Sequence, residues 1–396
     1  MLGRRTRRAG VLVALVLVLS LGASAGGVAA EPAPRAWPVI GPEFTIGPSG
    51  SYAPDAAFRP GGDYLVVWED TFWSPNWGEI LGQRVSSAGA LVGAQIAVAV
   101  GNPNATQPQV AYNSRADQFL AIWIDTRVNY SPAVYGLRIS RNGAPLGSDF
   151  EISGPDAEIT IYDTPALAYN SAANQYLVVW TDLRADGARG HDVYGRRVSA
   201  NGVPLGDDIL ISGPNATEDD ASPAVSYSPV ANQYLVAWSD RRDQYTREDD
   251  IYGRRVKANG VPAKNDFRIS SPAATEGEGR PTIAYNSALD QYLIAWMDSR
   301  NGPFDIYGQL LPALGPKIGT NFRISRGPDH EAGPSAAYSP LTGQYLVVWD
   351  DGRNQPTRGA DIYGRRVTVE GVARDKDFRI CALADKGSDR NPSVVY

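Results

Sequence analysis

Gln175-Tyr-Leu-Val-Val-Trp-Thr-Asp182, followed by Arg184 and then by Asp192-Val-Tyr-Gly195, is one of six versions of a single pattern in this chain. The six tryptophans are Trp68, Trp123, Trp180, Trp238, Trp296 and Trp349, spaced 53 to 58 residues apart. An Asp stands two places after each: Asp70, Asp125, Asp182, Asp240, Asp298 and Asp351. Five units add an Arg two places further on: Arg127, Arg184, Arg242, Arg300 and Arg353. A Gly sits in each following strand: Gly82, Gly136, Gly195, Gly253, Gly308 and Gly364. A period of this length marks one supersecondary unit, which cannot bury its own faces and must stack on its neighbours.

Working outward from the tryptophan, each unit reads as four short strands. Strand A has the form Pro165-Ala-Leu-Ala-Tyr169 and strand B is Tyr176 to Trp180. Strand C runs from about Val193 to Ser199, and strand D is short, as in Phe267-Arg-Ile-Ser270. β-Branched and aromatic runs bounded by Gly, Pro, Asn and Asp are strand signals. Asn142-Gly143, Asn201-Gly202 and Asn259-Gly260 between C and D suggest type I′ turns, which need two positive φ angles. No stretch after the N-terminal segment has helical periodicity. Four antiparallel strands per unit is the pattern of a propeller blade, so an all-β propeller is expected. The small residues Ala57, Ala111, Ala168, Ser226, Ala284 and Ala337 suit the crowded strand nearest the central channel. The chain opens on Val39-Ile-Gly-Pro-Glu-Phe-Thr-Ile-Gly47, which matches a strand D, and closes on Arg390-Asn-Pro-Ser-Val-Val-Tyr396, which matches a strand A. Six complete blades with the terminal strands of a partial seventh are therefore expected, the chain being a piece of a seven-bladed ring.

These repeats resemble secreted bacterial β-propeller repeat proteins, broadly TolB-like in blade layout. The resemblance covers residues 39–396 and carries no catalytic signature.

The 396 residues carry a formal charge of −6 with both signs interspersed, so no basic stripe points to nucleic acid. One cysteine, Cys381, excludes an internal disulfide, and two histidines, His191 and His330, are too few for a histidine–cysteine metal centre. Arg4, Arg5, Arg7 and Arg8 precede an apolar run from Val11 to Leu21 and then Ala23-Ser-Ala25 and Val28-Ala-Ala30. Charged, apolar and small-residue zones in that order read as a secretory signal peptide over residues 1–30. Residues 31–38 form a lead-in and 39–396 the propeller. A secreted, cell-surface or periplasmic monomer is expected, with no membrane span after cleavage.

The repeated Asp and Arg read as structural, because a reaction needs one asymmetric constellation and these occur in nearly every unit. Each Arg is expected to pair across the B–C hairpin with the acid before strand C: Asp192, Asp250, Asp305 or Asp361. The acidic runs Glu218-Asp-Asp220 and Glu248-Asp-Asp250 offer oxygen ligands but lack the spacing of a calcium loop. No cofactor is expected, with calcium the weak exception. Function is sought where the repeats differ, on the rim carrying the B–C and D–A loops. Trp73, Trp77, Tyr130, Tyr162 and Tyr245 lie there, and aromatic faces stack on sugars or hold peptides. The first reading is an exported, non-enzymatic binding or scaffold propeller for a glycan, peptide or protein partner. The alternative is a propeller glycoside hydrolase or polysaccharide lyase using unrepeated loop carboxylates, with Asp156, Glu158, Asp163 and Glu218 as candidates.

Overall fold

Each repeat folds into one antiparallel four-stranded sheet whose strands pair in chain order, A to B to C to D. The structure, a computed structural model, describes residues 43–47, 51–70, 78–101, 104–184, 190–213, 218–243, 248–272, 277–354, 359–381 and 389–396. The six sheets span residues 51–99, 106–151, 166–210, 220–268, 278–323 and 331–379, here called blades 1 to 6. Blade 4 is representative: strand A is Asp220–Ser228, B is Gln233–Asp240, C is Asp250–Lys257 and D is Pro262–Arg268. The architecture is a six-bladed propeller, and no helix occurs among the described residues.

Stacking explains why strand B is apolar without a break. Tyr234, Val236 and Trp238 face blade 3, where they meet Leu177 and Val179. Leu235 and Ala237 face blade 5, where they meet Tyr292, Ile294 and Trp296. Both faces of the strand are covered, so alternation is lost, as in any doubly buried sheet. The glycine of strand C is a close approach: a Cβ on Gly253 would lie 2.7 Å from Ile269 Cδ1 and 3.0 Å from Val236 O.

The structure corrects two details of the unit. Gly143, Gly202 and Gly260 have positive φ, but the Asn before each does not. Gly143 N donates to Ser140 O at 2.8 Å and Ser140 N to Ala144 O at 2.7 Å. These C–D turns are therefore longer loops ending in a left-handed glycine rather than type I′ turns. A two-residue turn with both φ positive occurs instead at Asn129-Tyr130, closing the B–C hairpin of blade 2.

The second correction concerns the arginines. Asp240 and Asp250 stand directly opposite in the B–C ladder, but Arg242 does not cross to Asp250. Its Nε donates to Asp240 Oδ1 at 2.8 Å and its Nη2 to Asp240 Oδ2 at 2.5 Å. The same Nη2 donates to Asp266 of strand D at 2.5 Å, while the guanidinium lies 3.9 Å over the Tyr252 ring. Trp238 Nε1 completes the set on Asp240 Oδ2 at 3.2 Å. Asp250 is held by Arg268 of strand D instead. The reason is local: the chain turns at the end of strand B, and Arg242 N donates to Asp240 Oδ1, folding the side chain back. Blades 3, 5 and 6 repeat the fork, with Arg184, Arg300 and Arg353 on Asp182, Asp298 and Asp351.

The expected partial seventh blade is not formed as a sheet. Residues 43–47 and 389–396 make no ladder, and they pack between blades 1 and 6.

Three blades bury a second carboxyl at the start of strand A: Asp220, Glu278 and Glu331. Burial, reinforced by the strand B aspartate of the same blade, pushes Glu278 up to about 9 and Glu331 up to about 8, and Asp220 well above the carboxylate range. Each is protonated in the folded chain over a range where the unfolded chain is ionised. Stability is then greatest near the ordinary glutamate pKa and falls as pH rises through the raised values. Glu331→Gln keeps the acceptor for Gly327 N–H, which lies 2.6 Å from Glu331 Oε1. The variant is expected to exceed the parent in stability at about pH 9 and to match it near pH 5. Urea unfolding across that range checks this; a constant difference between the two proteins would refute it.

Candidate functional site

The first residues of strand A from every blade meet at the ring centre. In five blades this strand carries a bulge, and the residue before its proline is left-handed: Ala53, Gln107, Ser222, Arg280 and Gly333 have φ between 45° and 56°. Left-handed φ is strained for the non-glycine residues, and bulges at rims re-aim side chains. Here they surround a cavity of about 550 Å³.

The cavity breaks the symmetry of the ring. The position after the proline is Asp55 in blade 1 but Gln109, Ala166, Ala224, Thr282 and Ser335 in the others. Asp55 Oδ2 accepts from Val110 N at 2.8 Å and Oδ1 from Ser393 Oγ at 2.9 Å. Burial pushes Asp55 up to about 6 against these lowering hydrogen bonds. Glu69, also lining the cavity, is raised by burial and accepts from Thr106 Oγ1 and Gln107 N. Asp163 takes three donors: Thr181 Oγ1 at 2.9 Å, Ser222 Oγ at 2.9 Å and Ser222 N at 3.3 Å. Three carboxyl groups thus line one cavity, and two of them, Asp55 and Asp163, have no acidic counterpart in the other blades. Tyr52 and Tyr162 flank it, 54% and 85% exposed, and exposed Arg280 adds a cation. The arrangement supplies a proton donor poised near neutrality, fixed carboxylate acceptors and two aromatic faces.

The sequence candidates divide. Tyr162 and Asp163 line the cavity, whereas Asp156 and Glu158 are exposed away from it and Glu218 is not among its residues. Tyr130 is 82% exposed on the tight blade 2 turn and does not line the cavity. Trp73, Trp77 and Tyr245 lie outside the described residues, as do the signal segment and residues 39–42. Asp55, Glu69 and Arg280 were missed. Aligning the repeats column by column would have shown Asp55 as the one acid after the strand A proline and Glu69 as a rare acid between the tryptophan and the aspartate.

The acidic runs have internal partners. Asp220 Oδ1 accepts from Trp238 Nε1 at 3.0 Å, Asp249 pairs with Arg241 at 2.9 Å, and Asp250 is held by Arg268. Among the described residues, one group brings three metal-type ligands within 4.8 Å of one another: Asp361, Cys381 and Asp389. Cys381 there occupies the position of Ser153, Ser212, Ser270 and Ser325. Its Sγ accepts from Ile362 N at 3.1 Å as Ser270 Oγ accepts from Ile251 N at 3.2 Å.

No family model matches the chain, and no curated protein matches it. Among solved structures it is similar to an alpha-L-arabinanase of Penicillium chrysogenum complexed with arabinobiose, at 14% identity and a TM-score of 0.54, covering 76% of this chain and 88% of that one. It is also similar to a protein of unknown function from Dyadobacter fermentans, at 11% identity and a TM-score of 0.51, covering 76% and 90%. A mutant alpha-L-arabinofuranosidase of Fusarium graminearum with an iminosugar inhibitor matches at 16% identity and a TM-score of 0.50, covering 73% and 83%. At these identities the common property is the fold. The propeller is thereby supported, and the TolB-like layout in particular is not. The comparisons also correct the first functional reading: the two similar propellers of named activity are an alpha-L-arabinanase and an alpha-L-arabinofuranosidase, and neither speaks for a non-enzymatic scaffold.

Proposed function

We propose that the chain is an exported glycoside hydrolase whose site is the cavity at the ring centre. The observation that carries this reading is the set of carboxyl groups Asp55, Glu69 and Asp163 around one cavity, Asp55 and Asp163 having no acidic counterpart in the other blades. Glycoside hydrolysis needs an acid to protonate the leaving oxygen and a carboxylate to activate water or to attack the anomeric carbon. Asp55, raised to about 6 by burial, is assigned the acid. Asp163, whose oxygens are oriented by three donors, is assigned the base or nucleophile. As the glycosidic C–O bond breaks, the Asp55 proton passes to the departing oxygen, and water supplies the hydroxyl that ends on the anomeric carbon while its other proton passes to Asp163 as base, or back to Asp55 where Asp163 has first attacked as nucleophile. Glu69 holds Thr106 and Gln107 beside the cavity. Tyr52 and Tyr162 form a platform for the flanking sugar rings.

Arabinose-containing oligosaccharides are the first substrates to test, since the similar arabinanase was complexed with arabinobiose. Incubating the purified protein with arabinobiose, longer arabinans and a panel of aryl glycosides should release reducing sugar or aglycone. Release equal to that of the Asp55→Asn variant on every substrate would sink the assignment. Tyr162→Ala should raise KM about five-fold with kcat held, the loss of about 1 kcal/mol of stacking. An equal fall in kcat at constant KM would place Tyr162 outside the platform.

A further inference from the structure

The B–C and D–A loops stand on the cavity side of the ring, and the A–B and C–D turns form the opposite rim. Every residue of those turns is described. In blades 4, 5 and 6 both turns expose an aliphatic side chain: Val230 and Val261, Leu289 and Leu314, Leu341 and Val372, each between 47% and 72% exposed. Val203 continues the arc into blade 3, and Leu91 follows the C–D turn of blade 1. Closing the hairpins does not require them. Val203, Val261 and Val372 each follow the left-handed glycine of their turn, and each carbonyl accepts from the last residue of strand C at 2.9 to 3.0 Å. Blade 2 makes the same bond with the small Ala144 after Gly143. Single apolar residues on a surface need no explanation, but a row of them on one rim marks an interaction surface.

Charges interspersed along the chain are sorted by the fold. Arg138, Arg197 and Arg255 stand third from the end of strand C in blades 2, 3 and 4. Arg138 Nη2 donates to Leu146 O at 2.9 Å. Arg255 donates from Nε to Ala313 O at 2.7 Å and from Nη2 to Pro312 O and Gly315 O at 3.0 and 2.7 Å. Arg115, in the A–B turn of blade 2, donates to Ala172 O at 3.1 Å, and Lys257 is exposed beside the C–D turn of blade 4. Among the described residues, none of these five cations forms an ion pair with a carboxylate. The fork arginines at the other end of the blades each lie on an aspartate instead. Of the four acids in the A–B and C–D turns, Asp117 and Asp149 pair with Arg59 and Arg127, which leaves Asp290 and Glu370. The rim is therefore positive in a chain whose formal charge is −6.

We propose that this rim docks on an anionic lipid surface, as a peripheral contact and not a span. The aliphatic tips enter the headgroup region, and the arginines bind lipid phosphate with the donors that the carbonyls leave over. Arg255 spends its Nε and Nη2 hydrogens on carbonyls and keeps Nη1 for that purpose. A soluble polyanion would use the cations but would leave the valines and leucines in water, which favours the bilayer. Docked in this way, the ring turns its cavity away from the membrane. The inference does not depend on the hydrolase reading.

The test is flotation of the full chain with vesicles of phosphatidylcholine containing about one-third phosphatidylglycerol, against vesicles of phosphatidylcholine alone. Binding is expected on the anionic vesicles only, and is expected to weaken as salt is raised. Two double variants at exposed positions identify the rim: Leu289→Ser with Leu314→Ser, and Arg115→Glu with Lys257→Glu. Each should lower the partition coefficient at least about ten-fold with the melting temperature unchanged. No binding to the anionic vesicles, or equal binding to both kinds, would overturn the proposal. Undiminished binding in both variants would place the contact on another segment and overturn it as well. Loss in the charge variant alone, with the serine variant unaffected, would make the rim a polyanion surface and sink the lipid assignment.

Discussion

Asp55→Asn is expected to lower glycoside cleavage about 10²- to 10⁴-fold, the range for loss of a general acid. The amide is isosteric, keeps an oxygen to accept from Val110 N–H, and turns its NH2 toward the Ser393 hydroxyl oxygen, which can accept from it. It has no acidic proton to give. In the parent protein the proposed donor is protonated below its raised pKa of about 6, so kcat/KM should fall on the alkaline side of that value. The linkage sign separates this from a structural defect. A buried carboxyl with a raised pKa withdraws stability as pH climbs from the ordinary Asp value to about 6, because the unfolded chain ionises first. The neutral amide is free of that loss, so the variant at neutral pH should melt no lower than the parent. An inactive variant with undiminished stability supports the acid role. Full activity in the variant, or an alkaline limb that survives in its pH profile, would refute it.

Arg242→Ala is expected to destabilise the fold by about 3 to 5 kcal/mol, the cost of stripping one partner from a buried ion network. The guanidinium joins Asp240 at the end of strand B to Asp266 of strand D and lies on the Tyr252 ring of strand C. Removing it leaves two carboxylates, 0% and 5% exposed at the side chain, facing each other without the cation. Urea unfolding measures the loss. The site cavity lies at the strand A entrances, and Arg242 is not among its residues, so the folded variant should retain its KM and kcat. Arg242→Lys should recover little, since a point charge cannot form the fork that spans both Asp240 oxygens. Loss of activity at unchanged stability would contradict a structural role for the fork.

The sequence already contained the architecture because the blade is a local object. Period, strand content and the burial of both strand B faces follow from residues within one repeat, so Trp180 and its five counterparts located every blade. It also contained the structural role of the Trp-x-Asp-x-Arg unit, through repetition alone. It did not contain the partner of the arginine. Asp250 and Asp266 are both plausible acids by spacing, and only the turn at the end of strand B, which folds Arg242 back, selects Asp240 with Asp266. The cavity was equally hidden. Asp55 and Asp163 are 108 residues apart in the chain, and nothing local says that both border one space. Ring closure brings the strand A entrances together, and the left-handed residues before the prolines set which side chains border the cavity. The terminal segments show both halves of the matter. Their match to strands D and A was readable as text, but whether they pair, pack or swing free depends on contacts made by blades 1 and 6. Local pattern specifies a unit, whereas a site between units exists only after long-range closure has chosen which residues become neighbours.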